Sequence, residues 1–416
     1  MARLKGFQEL TPVDDALQTF LFRLQIKHSK IVSIPLHSAL NRILAEDIIA
    51  ETDLPRFDRS AVDGYAIKAE ETVGASQFRP KVFQLTCNGV VNKGRASEIW
   101  TGNPIPRGAN AVVMLENTKR IRNRLEVWSP VTPSENLSEK GEDIRKGDMA
   151  TEAGIRLKPQ HLGLMAALGI NHVKVYEKPR IAILATGNEL AEPGSKLRGN
   201  QIYDTNKLVL STMVSELGAE PIDLGIAKDD TEQILERLKS GVEESDAVVT
   251  SGGTSVGGPD LVPEAVNRLG KPGVIVHGVA MRPGMPTALA IVNRKPVLIL
   301  PGNPVAAMIG FEVFAQPLIC RLLGMKRTET RFALEAKMAR KIAACLGRKT
   351  FVRVHVCQRN NEYTAEPISA RGSGMISTMT KANGYVVVAE NREGLEKGEV
   401  VSVQMFDTVE VVDSDV

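Results

Sequence analysis

The chain has 416 residues, 43% hydrophobic and 24% charged, and its 52 basic residues against 49 acidic ones leave a formal net charge of +3. That length exceeds what one core organises and predicts about two to four domains. The near-neutral balance, with no basic stripe interleaved with aromatics, excludes an electrostatic footprint for nucleic acid, so an anionic ligand has to be held by a local site.

Cys87, Cys320, Cys345 and Cys357 form no Cys-x-x-Cys pair, the six histidines show no zinc spacing, and the N-terminus carries no signal-peptide run. A reducing, cytoplasmic setting without disulfides is expected. No run approaches the roughly 18 apolar residues of a membrane span.

In chain order, Thr11 as cap, Pro12 in the first turn and the stripe Leu17, Phe20, Leu21 and Leu24 predict an amphipathic packing helix. Residues 46–143 read as an inserted, mostly β module of short extended runs between Gly and Pro clusters. A helix follows Pro159, with Leu162, Met165, Ala166 and Leu168 on its apolar side and Gly169 as its stop. Residues 1–45 and 144–178 are thus expected to form the N-terminal helix and a helical stalk.

From residue 179 to 328 strands alternate with helices. Ile181–Ala185, Ile222–Ala227, Val248–Ser251, Val274–Ala280 and Val297–Leu300 read as strands. Asp204 or Thr205 caps a helix with face Leu210, Met213, Val214 and Leu217, while Asp230 and Gln233 form a capping box. Asn303 and Pro304 open a further helix. The expected fold class is therefore multidomain α/β plus β, with a doubly wound parallel sheet that binds ligands beyond the carboxyl ends of its strands. Residues 329–416 alternate Val352, Val354 and Val356 against Arg353 and His355, predicting a half-buried C-terminal β domain.

The chemistry concentrates where strands end. Val248 to Asp260 is an apolar strand running into Gly252, Gly253, Thr254, Ser255, two further glycines and a carboxylate. Glycines let backbone N–H groups converge on an oxyanion, the hydroxyls add donors, and Asp260 can hold a divalent cation. A plain Gly-Gly turn fits the same residues. Thr186-Gly-Asn-Glu189 and Lys228-Asp229-Asp230 bring further acids to the same sheet edge, where carboxylates and phosphate suit magnesium. Asp230 also reads as a helix cap and Asp229 as a solvated turn residue. The turns Arg282-Pro-Gly-Met-Pro286 and Leu300-Pro-Gly-Asn-Pro304 have the rigidity to shape a wall for a planar ligand, or are ordinary turns. Asp58, Arg59, Ser60 and Asp63 cluster before a strand of the inserted module, which a capped turn also explains; Glu142-Asp143 is a weaker signal.

Together these residues resemble the molybdopterin molybdenumtransferase family, which includes the E domain of gephyrin. The resemblance rests on Phe57 to Ala66 (with Val62 for the family's Met), Thr101-Gly102, Gly141 to Ile144, Thr186 to Leu190, Ser251 to Asp260 and Leu300 to Pro304. It implies a homodimer of four-domain subunits whose α/β domain is similar to molybdopterin adenylyltransferases. It also implies the reaction of adenylylated molybdopterin with molybdate to give molybdenum cofactor and AMP, with a cation such as Mg2+. By the resemblance, Glu189, Asp229 and Asp260 would hold the cation and the phosphate side of the substrate, and Pro301 and Pro304, with Gly302 between them, would shape the pterin pocket. Arg353 and Ser373 would line its outer wall, and Asp58, Asp63, Thr101 and Asp143 would complete the cleft of the partner subunit. The family's Lys-Pro-Gly-Lys-Pro is Arg282-Pro-Gly-Met285-Pro here. Arg282 keeps a charge that can bind an oxyanion, whereas Met285 removes one. Adenylylation of molybdopterin, tungstate insertion and non-catalytic pterin scaffolding are the alternative readings, and molybdopterin adenylyltransferase is a candidate partner.

Overall fold

The fold is given by a computed structural model that describes residues 9–26, 29–253, 260–327, 329, 331–369 and 373–411. The chain divides into two compact units, one of Met1–Val32, Asn41–Ile43 and Tyr176–Val416, the other of Ser33–Leu40 and Leu44–Val175.

In the first unit a six-stranded sheet runs in the order Glu220–Ala227, Arg180–Thr186, Ala247–Ser251, Lys295–Leu300, Ala288–Val292, Pro272–His277. Its strands are apolar on both faces because both are covered. Ile181 and Ile183 face a core shared with Phe20, Leu210, Val214 and Phe314, while Ala182 and Leu184 face a second core with Ile234, Leu238, Val262 and Val266. The helix Val13–Arg23 thus packs as its stripe predicts, although Pro12 rather than Thr11 holds the cap position.

The doubly wound reading holds for the first four strands, which pair in parallel. The strand Ala288–Val292 pairs antiparallel with both neighbours, so the sheet is mixed. Its hairpin turns on Asn293 and Arg294, both at positive φ (49° and 71°), the type I′ geometry that matches strand twist. Asn-Arg lacks the glycine that usually signals such a turn. Thr205 holds the cap position of the helix Asn206–Glu216 without a side-chain cap bond, and the preceding Asp204 serves the helix start instead: its Oδ1 accepts from Asn206 N at 3.0 Å. Asp230 Oδ1 likewise accepts from Gln233 N at 2.8 Å. The stretch Pro304–Leu322 is long and apolar enough to cross a membrane, but 67% of its most apolar window is buried within the fold, as in a core helix.

The C-terminal strands Lys349–Arg359, Glu362–Ser369, Ala333–Met338, Val400–Met405 and Gly384–Val388 pair in that order, and the last pairs back with the first, closing a barrel around Val352, Val354, Val356, Val386 and Val403. Arg353, expected on a solvated face, is only 3% exposed: it shares the strand's outer face with Phe351, which packs on the core of the α/β domain. Met281–Arg282 adds a short parallel pairing to Lys349 and Thr350, tying a loop of the α/β domain to the barrel.

The second unit is built on a six-stranded sheet, Ala111–Met114, Gly64–Ile67, Arg95–Ile99, Lys81–Leu85, Arg124–Val127, Thr118–Ile121, over a core including Tyr65, Phe83, Val113 and Leu125. It also carries the helix Pro159–Ala167, whose Met165 is fully buried. All four cysteines are free.

Candidate functional site

The sheet order places the strand Arg180–Thr186 between the two strands that follow it in sequence, so the chain leaves it in opposite directions. Such a switch point opens a crevice beyond the carboxyl ends of the diverging strands. Here the crevice is a cavity of about 1100 Å³, with Thr186 and Ser251, the last residues of those strands, in its wall. Glu189, Asp229, Gly252, Gly253, Pro301, Gly302 and Pro304, all expected at the site, line it.

Gly252 and Gly253 sit at φ +96° and +67°, and a Cβ on Gly252 would lie 2.4 Å from the Thr186 carbonyl oxygen. Only glycine permits that approach. The Gly252 N–H itself is spent on Leu300 O at 3.0 Å, so this residue shapes the loop rather than donating to an anion. Thr254 and Ser255 lie outside the described residues. The helix Pro304–Gly310 likewise has one early amide taken: Val305 N donates to Ser373 O at 3.1 Å.

Among the acids, Asp229 Oδ2 accepts from Asn188 N at 3.1 Å. Asp260 opens the helix Leu261–Leu269, whose first residue lines the cavity, and its Oδ2 stands 3.6 Å from His277 Nε2. Glu189, Asp229 and Asp260 do not form a ready-made cage, because no three His, Cys, Asp or Glu side chains among the described residues group closely enough to hold a metal. That donor set suits a cation that takes one or two carboxylates and keeps its own waters.

A second cavity of about 340 Å³ shares Pro286, Pro301 and Asn303 with the first and is lined by Arg282, Met285, Arg348, Arg353 and Ser373. Burial lowers the Arg353 pKa, yet a guanidinium stays charged at any ordinary pH. Arg282 Nη1 donates to the exposed Cys345 Sγ at 2.9 Å. Three guanidiniums at one cavity make it an anion pocket, despite Met285.

Asp58, Asp63, Thr101 and Asp143 belong to the other unit, where the loops that carry them knit together. Asp63 Oδ1 accepts from Thr101 N and Thr101 Oγ1, each at 2.7 Å, and Asp58 Oδ1 accepts from Lys140 N at 2.7 Å. Asp143 N donates to Leu54 O at 3.1 Å.

Several cavity residues had no distinct sequence signal. Asn206 is 7% exposed and its Nδ2 donates to Ser251 Oγ at 2.6 Å and Gly302 O at 2.7 Å, joining a helix start to two strand ends. In sequence it is one more polar residue at a helix cap. Arg348 follows a glycine in a loop and shows its role only once the barrel brings it beside Arg282.

A doubly wound domain with an acid-rimmed crevice at its switch point, opening beside an arginine-lined pocket, is a binding domain for a phosphorylated small molecule. Comparison with known proteins gives the particular family. Residues 11–169 match the MoeA N-terminal region (domain I and II), 182–321 the "Probable molybdopterin binding domain", and 335–406 the MoeA C-terminal region (domain IV). A Methanocaldococcus jannaschii protein named for molybdopterin biosynthesis is 40% identical over 394 residues, 91% of this chain and 93% of its own. The molybdopterin molybdenumtransferase of Haemophilus influenzae is 33% identical over 380 residues, 89% of this chain and 93% of its own. Two solved structures of the molybdopterin biosynthesis moeA protein of Pyrococcus horikoshii superpose with TM-scores of 0.79 and 0.78 at 34% and 32% identity, covering 96% of this chain and 100% of theirs. The chain belongs to the MoeA family of molybdopterin molybdenumtransferases.

Proposed function

We propose that this enzyme inserts molybdate into adenylylated molybdopterin and releases AMP, using a divalent cation such as Mg2+. The observation that carries the reading is the pair of adjoining cavities, one with Glu189 and Asp229 beside a glycine turn, the other lined by three arginines. A cation bound there would neutralise phosphate oxygens as the adenylate is cleaved. Glu189 and Asp229, with Asp260 at the start of the helix whose first residue lines the crevice, would hold the cation and the phosphate side of the substrate, Pro301 and Pro304 would hold the planar pterin, and Arg282, Arg348 and Arg353 would gather and position the oxyanion.

The same reading has the protein acting in the cytoplasm as a homodimer, with Asp58, Asp63, Thr101 and Asp143 of one copy completing the cleft of its partner. Molybdopterin adenylyltransferase, whose product is this enzyme's substrate, is the natural partner. The decisive experiment incubates the protein with adenylylated molybdopterin and Mg2+, with and without molybdate, and measures AMP. Molybdate-stimulated AMP release is expected. Stable binding with no release would leave a pterin scaffold instead, and release stimulated by tungstate alone would reassign the oxyanion.

A further inference from the structure

We propose that Asp204 is the acceptor that reads the donor edge of the bound pterin, its 2-amino group and N3–H, an assignment that rests on the substrate class given above. Among the described residues, two buried polar atoms in residues lining the larger cavity have no hydrogen-bond partner, Asp204 Oδ2 and Thr186 Oγ1, each in a residue 3% exposed. Buried polar atoms in native folds are nearly always satisfied, so two orphans on one cavity point to a partner supplied from outside the chain.

Helix capping does not account for the whole of Asp204. Its Oδ1 accepts from Asn206 N at 3.0 Å and Lys207 N at 3.4 Å, which satisfies the helix start and leaves Oδ2 over. The neighbouring ammonium is also engaged elsewhere: Lys207 Nζ donates to Glu192 at 2.5 Å and Asp223 at 3.0 Å. Glu192 and Asp223 thus share the ammonium, while Asp204 bonds only the backbone N–H of Lys207. Burial raises the Asp204 pKa, the mark of an anion short of donors, and an incoming N–H would relieve it.

The chemistry of the edge selects the ligand. A buried carboxylate oxygen without a donor has two free lone pairs, so it matches an edge made of donors. The pterin edge presents adjacent N–H groups. The corresponding edge of adenine alternates donor with acceptor, and its acceptor would face a repulsive oxygen. Pro301, Pro304 and Leu190 supply flat apolar wall to the same cavity.

The test titrates wild type and Asp204→Asn with 6-hydroxymethylpterin and with its 2-oxo counterpart, following pteridine fluorescence. Asparagine keeps Oδ1 for the helix amides and turns the open acceptor into a donor. Wild type should prefer the 2-amino compound, and the variant should bind it about tenfold or more weakly, losing or reversing the preference. Asp204→Ser retains a capping oxygen but cannot reach the edge, and should lose the preference with its melting temperature nearly unchanged. A preference that persists in both folded variants overturns the assignment, as does an affinity loss confined to AMP. If wild type shows the preference but never releases AMP, the insertion reading fails while this one stands; if wild type binds neither pteridine, both fail.

Discussion

Asn188 and Asp229 clasp one another across two loops: Asp229 Oδ2 accepts from the Asn188 N–H at 3.1 Å, and Asn188 Oδ1 accepts from the Asp229 N–H at 3.2 Å. These loops leave the neighbouring parallel strands Arg180–Thr186 and Glu220–Ala227. The clasp sets the position of Asp229 relative to Glu189, two acids 40 residues apart in sequence.

Removing the clasp should loosen both acids while leaving the sheet intact. Asn188→Ala is expected to slow AMP release about tenfold, the scale of a modest misplacement of catalytic groups. Its cost in stability should stay within about 1 kcal/mol, since the residue is in an exposed loop. Steady-state rates alongside a urea melt check this, and an unchanged rate in the folded variant would remove the clasp from the mechanism.

Asp260→Asn keeps the shape of the helix start and removes a charge. AMP release should fall at least about a hundredfold at saturating Mg2+, as for the loss of a key electrostatic group. Near-wild-type turnover would assign the cation to Glu189 and Asp229 alone.

The glycine turn should be intolerant for a steric reason. Gly252→Ala places a methyl 2.4 Å from the Thr186 carbonyl oxygen at φ +96°, whereas Gly102→Ala, at φ +84°, meets nothing within 4 Å. The first should cost upwards of about 2 kcal/mol and the second about 1 kcal/mol, the backbone strain alone. Equal losses in denaturant melts would mean that the clash relaxes away.

The Asp63 to Thr101 contact carries a pH signature. Donation from the Thr101 backbone N–H and then its hydroxyl lowers the Asp63 pKa below the ordinary carboxylate value. A depressed folded-state pKa means that the contact stabilises above the unfolded-state pKa, about 4 for aspartate, and that this support is lost as pH falls further. The acid limb of the stability profile should therefore be shallower in Asp63→Asn than in wild type. Parallel limbs below about pH 4 in thermal melts would contradict the assignment.

Met285 stands in a cavity with three arginines, where the resemblance implies a lysine. An added ammonium beside a doubly charged oxyanion gains charge-assisted contact, so Met285→Lys should lower half-saturating molybdate roughly tenfold, or about 1.4 kcal/mol. Arg282→Ala should raise it. If the lysine variant folds and leaves the titration curve unmoved, the arginines already supply the charge that the missing lysine would have added.

Much of this molecule was legible in its sequence because the signals were local. Apolar runs of strand length, the helix-start acids Asp204 and Asp230, and glycines where strands end are consequences of backbone geometry within a few residues, and they led to the α/β layer and its ligand edge. Where the reading fell short, the cause was tertiary. The hairpin at Asn293-Arg294 has no glycine to announce it, and Arg353 sits on the outer face of a barrel strand that only packing against the α/β domain buries.

The sequence alone determined which residue types stand at strand ends, and their ordered set carried the resemblance to the family, although each acid, glycine pair or proline turn taken singly also fits a cap or an ordinary turn. Which of them share a cavity was decided by the tertiary structure. Asp204 and Thr186 are a helix-start acid and a strand end until packing buries both beside one crevice and leaves each with a hydrogen bond unmet among the described residues. Burial and hydrogen-bond satisfaction depend on what surrounds an atom in space, and local sequence spacing does not encode that.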